Sequence, residues 1–229
     1  MRDEWFIRGN VPMTKEEVRA VSIAKLEIGS RQDDGKSIAN SIGNSIGNSI
    51  GNSIGNGTGK NTGKGTGGIL FDIGAGTGSV SVEAAVTYPE LRIVAFEKKD
   101  EAISLIRQNA EKAGAEDRVE IVPGNLPESL EQYVTRHPEM VPDYVFIGGA
   151  TANTARILDL LRIPESGTRV VINVIALESI QEVLSALRDR KIEPEISQIS
   201  VSRAEKAGGF HLMKGLNPVT VISFGGKCI

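Results

Sequence analysis

The residues most apt for chemistry are Asp72-Ile73-Gly74-Ala75-Gly76-Thr77-Gly78, set between a short apolar run and a helical pattern opening at Ser79. Glycines at alternate positions remove side chains, so the backbone can turn sharply and approach a ligand. The helix that follows offers free N–H groups, which favour negative charge. A dinucleotide loop wants G-x-G-x-x-G. This loop reads G-x-G-x-G, with Ser79 where the third glycine of that fingerprint belongs. Asp72 stands two residues before the first glycine. A carboxylate there suits an ammonium or cationic ligand better than a pyrophosphate. Glu97 follows the next apolar run, placed to accept both hydroxyls of a ribose, a feature shared with NAD-binding proteins. Together these residues favour S-adenosylmethionine (SAM), whose methionine carries an ammonium and whose adenosine carries a ribose. After the third apolar run comes Gly124-Asn125-Leu126-Pro127. Asn125 and the Leu126 backbone could bond the adenine amino group; a plain turn before a helix reads equally well.

The elements that must position these residues alternate. Apolar runs at 69–73, 92–96, 119–122, 144–147 and 169–174 read as strands. Helical patterns follow them at 79–88, 100–113, 127–134, about 152–161 and 177–190. Two last strands, 196–201 and 219–224, have no helix between them. The repeated βα units predict an α/β fold, a Rossmann-like, mostly parallel seven-stranded sheet with helices on both faces. The closing pair predicts one antiparallel edge strand. In such sheets ligands bind beyond the carboxyl ends of the strands, near the switch point of strand order. Ahead of the first strand, Thr14 and Glu17 form a capping-box pattern before apolar positions Val18, Val21 and residues 23–26.

The chain has 229 residues, 40% of them hydrophobic, and a formal net charge of −3, which suits a single domain over 1–229. No Lys/Arg block stands out, so no nucleic-acid partner is expected. Cys228 is the one cysteine and supports neither an internal disulfide nor a metal cluster; no metal is expected. The N-terminus lacks an apolar signal region, and no run of about 18 apolar residues exists to span a membrane. A soluble, cytoplasmic protein with no membrane partner is expected. Residues 29–68 form a low-complexity insert that includes four copies of Ser-Ile-Gly-Asn. One Ile in four residues cannot build a core, and a longer loop raises closure entropy only logarithmically.

The chain outside this insert resembles the cobalt-precorrin-6B C(15)-methyltransferases (decarboxylating) of anaerobic cobalamin biosynthesis. It is also similar to the C-terminal half of the precorrin-6Y C(5,15)-methyltransferases. Phe6-Ile7-Arg8 and the segment Val11-Pro12-Met13-Thr14-Lys15-Glu16-Glu17-Val18-Arg19 carry the resemblance most specifically, since the glycine loop is common to many methyltransferases. Phe146-Ile147-Gly148-Gly149, Val171-Ile172-Asn173 and Asn217-Pro218-Val219 add to it. The resemblance implies a class I SAM-dependent methyltransferase with SAM contacts at Thr14, Gly74, Ala75, Gly76, Thr77, Gly78, Glu97 and Leu126. It implies a cobalt-containing tetrapyrrole substrate bearing carboxylates, methylated at carbon 15 and decarboxylated at the acetate on carbon 12. It also implies a homo-oligomer, a tetramer.

Such chemistry needs alignment and shielding rather than a nucleophilic side chain. Substrate carboxylates call for cations, Arg being suited to bidentate pairing. Arg8, Arg203 and Lys214 are candidates, Arg203 first because it matches an arginine of the family; Asn173, Gly148 and Gly149 are further substrate-side candidates. The chain departs from the family in the length of the insert and in Ala150-Thr151-Ala152, where a Ser-Gly-Gly run is frequent. Rival readings are another small SAM-dependent methyltransferase acting on RNA or protein, and a non-catalytic SAM- or nucleotide-binding paralogue. Against the first stands Ile147-Gly148-Gly149-Ala150, where amino-methylating enzymes carry Asp/Asn-Pro-Pro-aromatic.

Overall fold

The computed structural model describes residues 1–29, 67–149 and 151–226. Most of the insert, Ala150 and Cys228 lie outside the described residues. Helix α1 (Glu16–Lys25) comes first. Then follow β1 (Ile69–Ile73), α2 (Ser79–Thr87), β2 (Arg92–Glu97), α3 (Asp100–Ala113) and β3 (Val119–Pro123). The series continues with α4 (Glu128–Arg136), β4 (Tyr144–Gly148), α5 (Thr154–Leu160), β5 (Arg169–Val174) and α6 (Leu177–Asp189). It closes with β6 (Glu195–Ile199), β7 (Ser202–Ala207), β8 (Phe210–Gly215) and β9 (Val219–Gly225).

Seven strands form one sheet in the order β3-β2-β1-β4-β5-β9-β6. β1 to β5 run parallel to one another, and β9 runs antiparallel to both β5 and β6. The antiparallel pairings thus lie at the expected edge, with β9 one place in and β6 outside it. Strand side chains alternate between two cores, as a sheet covered on both faces requires. Leu70, Ile93, Ala95, Phe146, Val171 and Val221 face α1, α2 and α3. Phe71, Ile73, Val94, Phe96, Val145, Ile147 and Ile172 face α4, α5 and α6. Helix α3 buries Ile103, Ile106 and Ala110 at helical spacing and stops at Gly114, whose φ of 62° is the left-handed cap position.

Two expectations need correction. Thr14 does not cap α1: Lys15 is the N-cap and makes no side-chain cap bond. Asp3 serves instead, its Oδ1 accepting the Glu16 N–H at 2.9 Å. The connection between β6 and β9, expected to join two consecutive strands, carries strands of its own. It holds the hairpin β7–β8, paired from Ser202↔Gly215 to Ala207↔Phe210 across a Gly208-Gly209 turn.

Candidate active site

Strand order reverses between β1 and β4, and a cavity of about 990 Å³ opens there at the carboxyl ends of the strands. Gly74, Ala75 and Gly76 line it from the loop after β1, and Glu97 from the end of β2. Asn125 and Leu126 line it after β3, Gly148 and Gly149 at β4, and Asn173 at β5. Thr14 closes one side from the segment ahead of α1. These residues, scattered along the sequence, meet in one place.

Backbone bonds set the glycine loop. The Gly74 and Ala75 N–H groups donate to the Phe96 carbonyl at 3.0 and 3.1 Å, and the Gly78 N–H donates to the Ala75 carbonyl at 2.9 Å. Gly76 takes φ 56°, and a Cβ there would lie 2.9 Å from the Pro12 carbonyl oxygen. A side chain at 76 is therefore excluded by backbone conformation and by the lead-in segment folded over the loop. Glu97 Oε2 accepts the Gly76 N–H at 2.8 Å, and Oε1 accepts the Lys98 and Lys99 N–H groups at 2.8 and 3.0 Å. A carboxylate offers about four lone-pair sites, so one remains, on Oε2. The pair of ribose hydroxyls foreseen for Glu97 narrows to a single direct acceptor site.

Asp72 lies beneath the loop, fully buried and outside the cavity wall, as do Thr77 and Gly78. The Ser81 hydroxyl donates to Asp72 Oδ2 at 2.5 Å. Asp72 Oδ1 and Thr77 Oγ1 are buried without a hydrogen-bond partner. Burial raises the Asp72 pKa to about 7, against the lowering effect of Ser81. The direct ammonium contact foreseen for Asp72 is thus replaced by a position under the loop. The bare glycine wall and the free site on Glu97 fit a ligand that lays a ribose against this loop, as SAM can.

The segment covering the loop is held by Arg19, whose side chain is wholly buried. Its guanidinium bonds Glu83 Oε2 at 2.5 Å, Asp3 Oδ1 at 3.2 Å and the Thr14 carbonyl at 2.6 Å. It also lies 4.7 Å over the Phe6 ring. One cation thereby ties the N-terminal turn, α2 and Thr14 together.

The substrate-side cations foreseen from sequence are elsewhere. Arg203 does not line the cavity; it bonds Glu17 at 2.6 and 3.1 Å and pairs with Asp3 at 3.1 Å. These carboxylates raise its pKa further, so it is a strut between β7 and α1. Lys214 pairs with Glu205 on the hairpin, and Arg8 is exposed outside the cavity. Asn173 does face the cavity, its amide donating to Ser22 Oγ of α1 at 2.9 Å. Sequence reasoning missed Asn153, whose amide donates to the Leu126 carbonyl at 3.1 Å and braces that loop. It also passed over Lys15, Lys98 and Lys99 as lining residues. Asn153 sits just before α5, a position that offered a signal, but its partner is remote in sequence.

Comparisons with known proteins identify relatives of the chain. A family model described as "Precorrin methyltransferase domain" matches residues 62–225. A Pyrobaculum calidifontis protein named "Probable cobalt-precorrin-6B C(15)-methyltransferase (decarboxylating)" is 34% identical over 96% of this chain and 93% of its own. The Salmonella typhimurium "Cobalt-precorrin-6B C(15)-methyltransferase (decarboxylating)" is 29% identical over 97% of this chain and 94% of its own. The crystal structure of precorrin-6y C5,15-methyltransferase from Geobacter metallireducens superposes with a TM-score of 0.72 at 26% identity, covering 98% of this chain and 96% of that one.

Proposed function

The chain belongs to the precorrin methyltransferase domain family, and on that premise we propose that it methylates carbon 15 of cobalt-precorrin-6B with SAM and removes carbon dioxide from the acetate on carbon 12. The observation that carries the proposal is the junction of the Gly74–Gly76 loop with Gly148 and Gly149 in one cavity, between Glu97 and Asn173. SAM supplies a methyl group already activated on a sulfonium. Glu97 holds a ribose hydroxyl, Asn125 and the Leu126 backbone receive the adenine, and Thr14 closes over the cofactor. Gly148 and Gly149 leave room for a broad acceptor beside it, and Asn173 offers it a polar contact. The work of the protein is alignment and exclusion of water.

The companion readings are a single methyltransferase domain over 1–229 with an insert at 29–68, a cytoplasmic location and a homotetramer. The oligomer is supported by the hairpin β7–β8, which exposes Phe210, Leu212 and Met213, because two strands alone are marginally stable in water. No described helix is long and apolar enough to cross a membrane. The test is release of S-adenosylhomocysteine from SAM under anaerobic conditions, with cobalt-precorrin-6B or bulk RNA as acceptor. Release dependent on the tetrapyrrole supports the proposal; release dependent on RNA, or none, overturns it.

A further inference from the structure

The cavity's cations are distributed unevenly. Among the described residues lining it they are Lys15, Lys98 and Lys99. Lys98 and Lys99 follow Glu97 directly at the end of β2, and their backbone N–H groups hold its carboxylate. From β2 to β5 is three strand spacings, through β1 and β4, or roughly 14 Å. That places the pair at the ribose end of the cavity, away from the β5 side.

Lys15 stands on the other side. It is the residue before α1, half-buried. Positions 18 and 22 share one face of that helix by their spacing of four. On that face Val18 also lines the cavity, and Ser22 meets Asn173 at the end of β5. The helix from Glu16 to Ser22 spans about 9 Å, so Lys15, just ahead of it, lines the cavity well away from that contact. Its ammonium has no carboxylate partner among the described residues. The same cavity has an apolar, open stretch: Ile175 lines it although 61% exposed, and Val201 and Leu216 line it too. An unpaired cation at the rim of an apolar wall suits a flat, greasy molecule with acidic arms.

Resting on the functional reading above, we propose that Lys15 is the specificity-determining residue that receives a peripheral carboxylate of the tetrapyrrole, with its macrocycle laid against Ile175. The Lys15 ammonium donates charge-assisted hydrogen bonds to that carboxylate, and the unbranched stem packs along the mouth. Lys15 takes no part in holding the cofactor. The arginine and lysine of the hairpin, Arg203 and Lys214, are excluded from this role by their carboxylate partners.

The test compares wild type, Lys15→Met and Lys15→Arg in two assays. The first is equilibrium binding of a stable octacarboxylate porphyrin, read by absorbance. The second is turnover of cobalt-precorrin-6B, with SAM affinity measured separately by calorimetry. Lys15→Met is expected to weaken porphyrin binding and raise the substrate KM by about tenfold or more. It should leave kcat and SAM affinity within about twofold of wild type, and Lys15→Arg should recover most of the loss. Porphyrin binding by Lys15→Met equal to wild type overturns the proposal, as does a parallel fall in SAM affinity. Lys15-dependent porphyrin binding without any turnover of cobalt-precorrin-6B overturns the functional reading instead and leaves the Lys15 site standing.

Discussion

Replacing Arg19 with Met should cost the protein both stability and cofactor affinity. The guanidinium is fully buried against Asp3 and Glu83, whose side chains are only 3% and 8% exposed. Met keeps the length of the stem and much of its contact with Phe6, so the loss is chiefly electrostatic. Removing the guanidinium leaves Asp3 with Arg203 alone and Glu83 with the Met1 amine alone, and breaking such a buried pair costs about 3–5 kcal/mol. In a domain of this size each kcal/mol lowers the melting temperature by roughly 2–4 °C, so a fall of roughly 6–20 °C is expected. The Thr14 carbonyl also loses its donor at 2.6 Å, and the Pro12 carbonyl above Gly76 loses its anchor. SAM affinity should therefore fall about tenfold. Thermal unfolding by circular dichroism and SAM calorimetry read the two effects, and Arg19→Lys provides a milder variant if Arg19→Met does not fold. A melting temperature within about 2 °C of wild type would refute the reasoning, because Arg203 and the Met1 amine would then suffice for Asp3 and Glu83 without Arg19.

Three further outcomes follow from the geometry. Gly76→Ala forces a Cβ into a left-handed backbone position 2.9 Å from the Pro12 oxygen; SAM binding should drop at least about tenfold, and calorimetry showing wild-type affinity would contradict the cradle. Asp72 holds its proton to about pH 7 in the folded chain, against 3.8 for the free side chain. The folded state therefore binds the extra proton, and stability is lost as pH rises from about 4 to 7, by at most about 4 kcal/mol. Asp72→Asn should flatten that decline in melting temperature, and parallel pH profiles for the two proteins would count against it. Arg203→Ala breaks pairs that are partly exposed, its own side chain being 35% exposed, so it should lower stability by only about 1 kcal/mol. Its KM for the tetrapyrrole should be unchanged, and a large KM rise would return Arg203 to the substrate.

The sheet was legible because its strands are continuous apolar runs separated by helical patterns. Buried parallel strands leave that mark in any sequence. The glycine loop was legible because closeness to a ligand restricts residue type at fixed spacing. The side chains around it were less so. Asp72 looked like a ligand contact, but burial beneath the loop cannot be read from spacing. Thr14 fitted a capping box, yet Asp3 took the cap, since a distant carboxylate competes for the same N–H. Arg203 looked free for substrate because Glu17 and Asp3, its partners, lie at the opposite end of the chain. The β7–β8 hairpin went unseen because its strands lack a buried face and so carry no alternation, although Gly208-Gly209 marks its turn.

The central claim is that one cavity both positions SAM and accepts a corrin precursor. Mass analysis of the tetrapyrrole after anaerobic incubation with methyl-labelled SAM tests it most directly. The account predicts a product that has gained one labelled methyl group and lost one carbon dioxide. A product with the label and its acetate intact would contradict the coupled reaction, and an unlabelled tetrapyrrole would contradict the assignment itself.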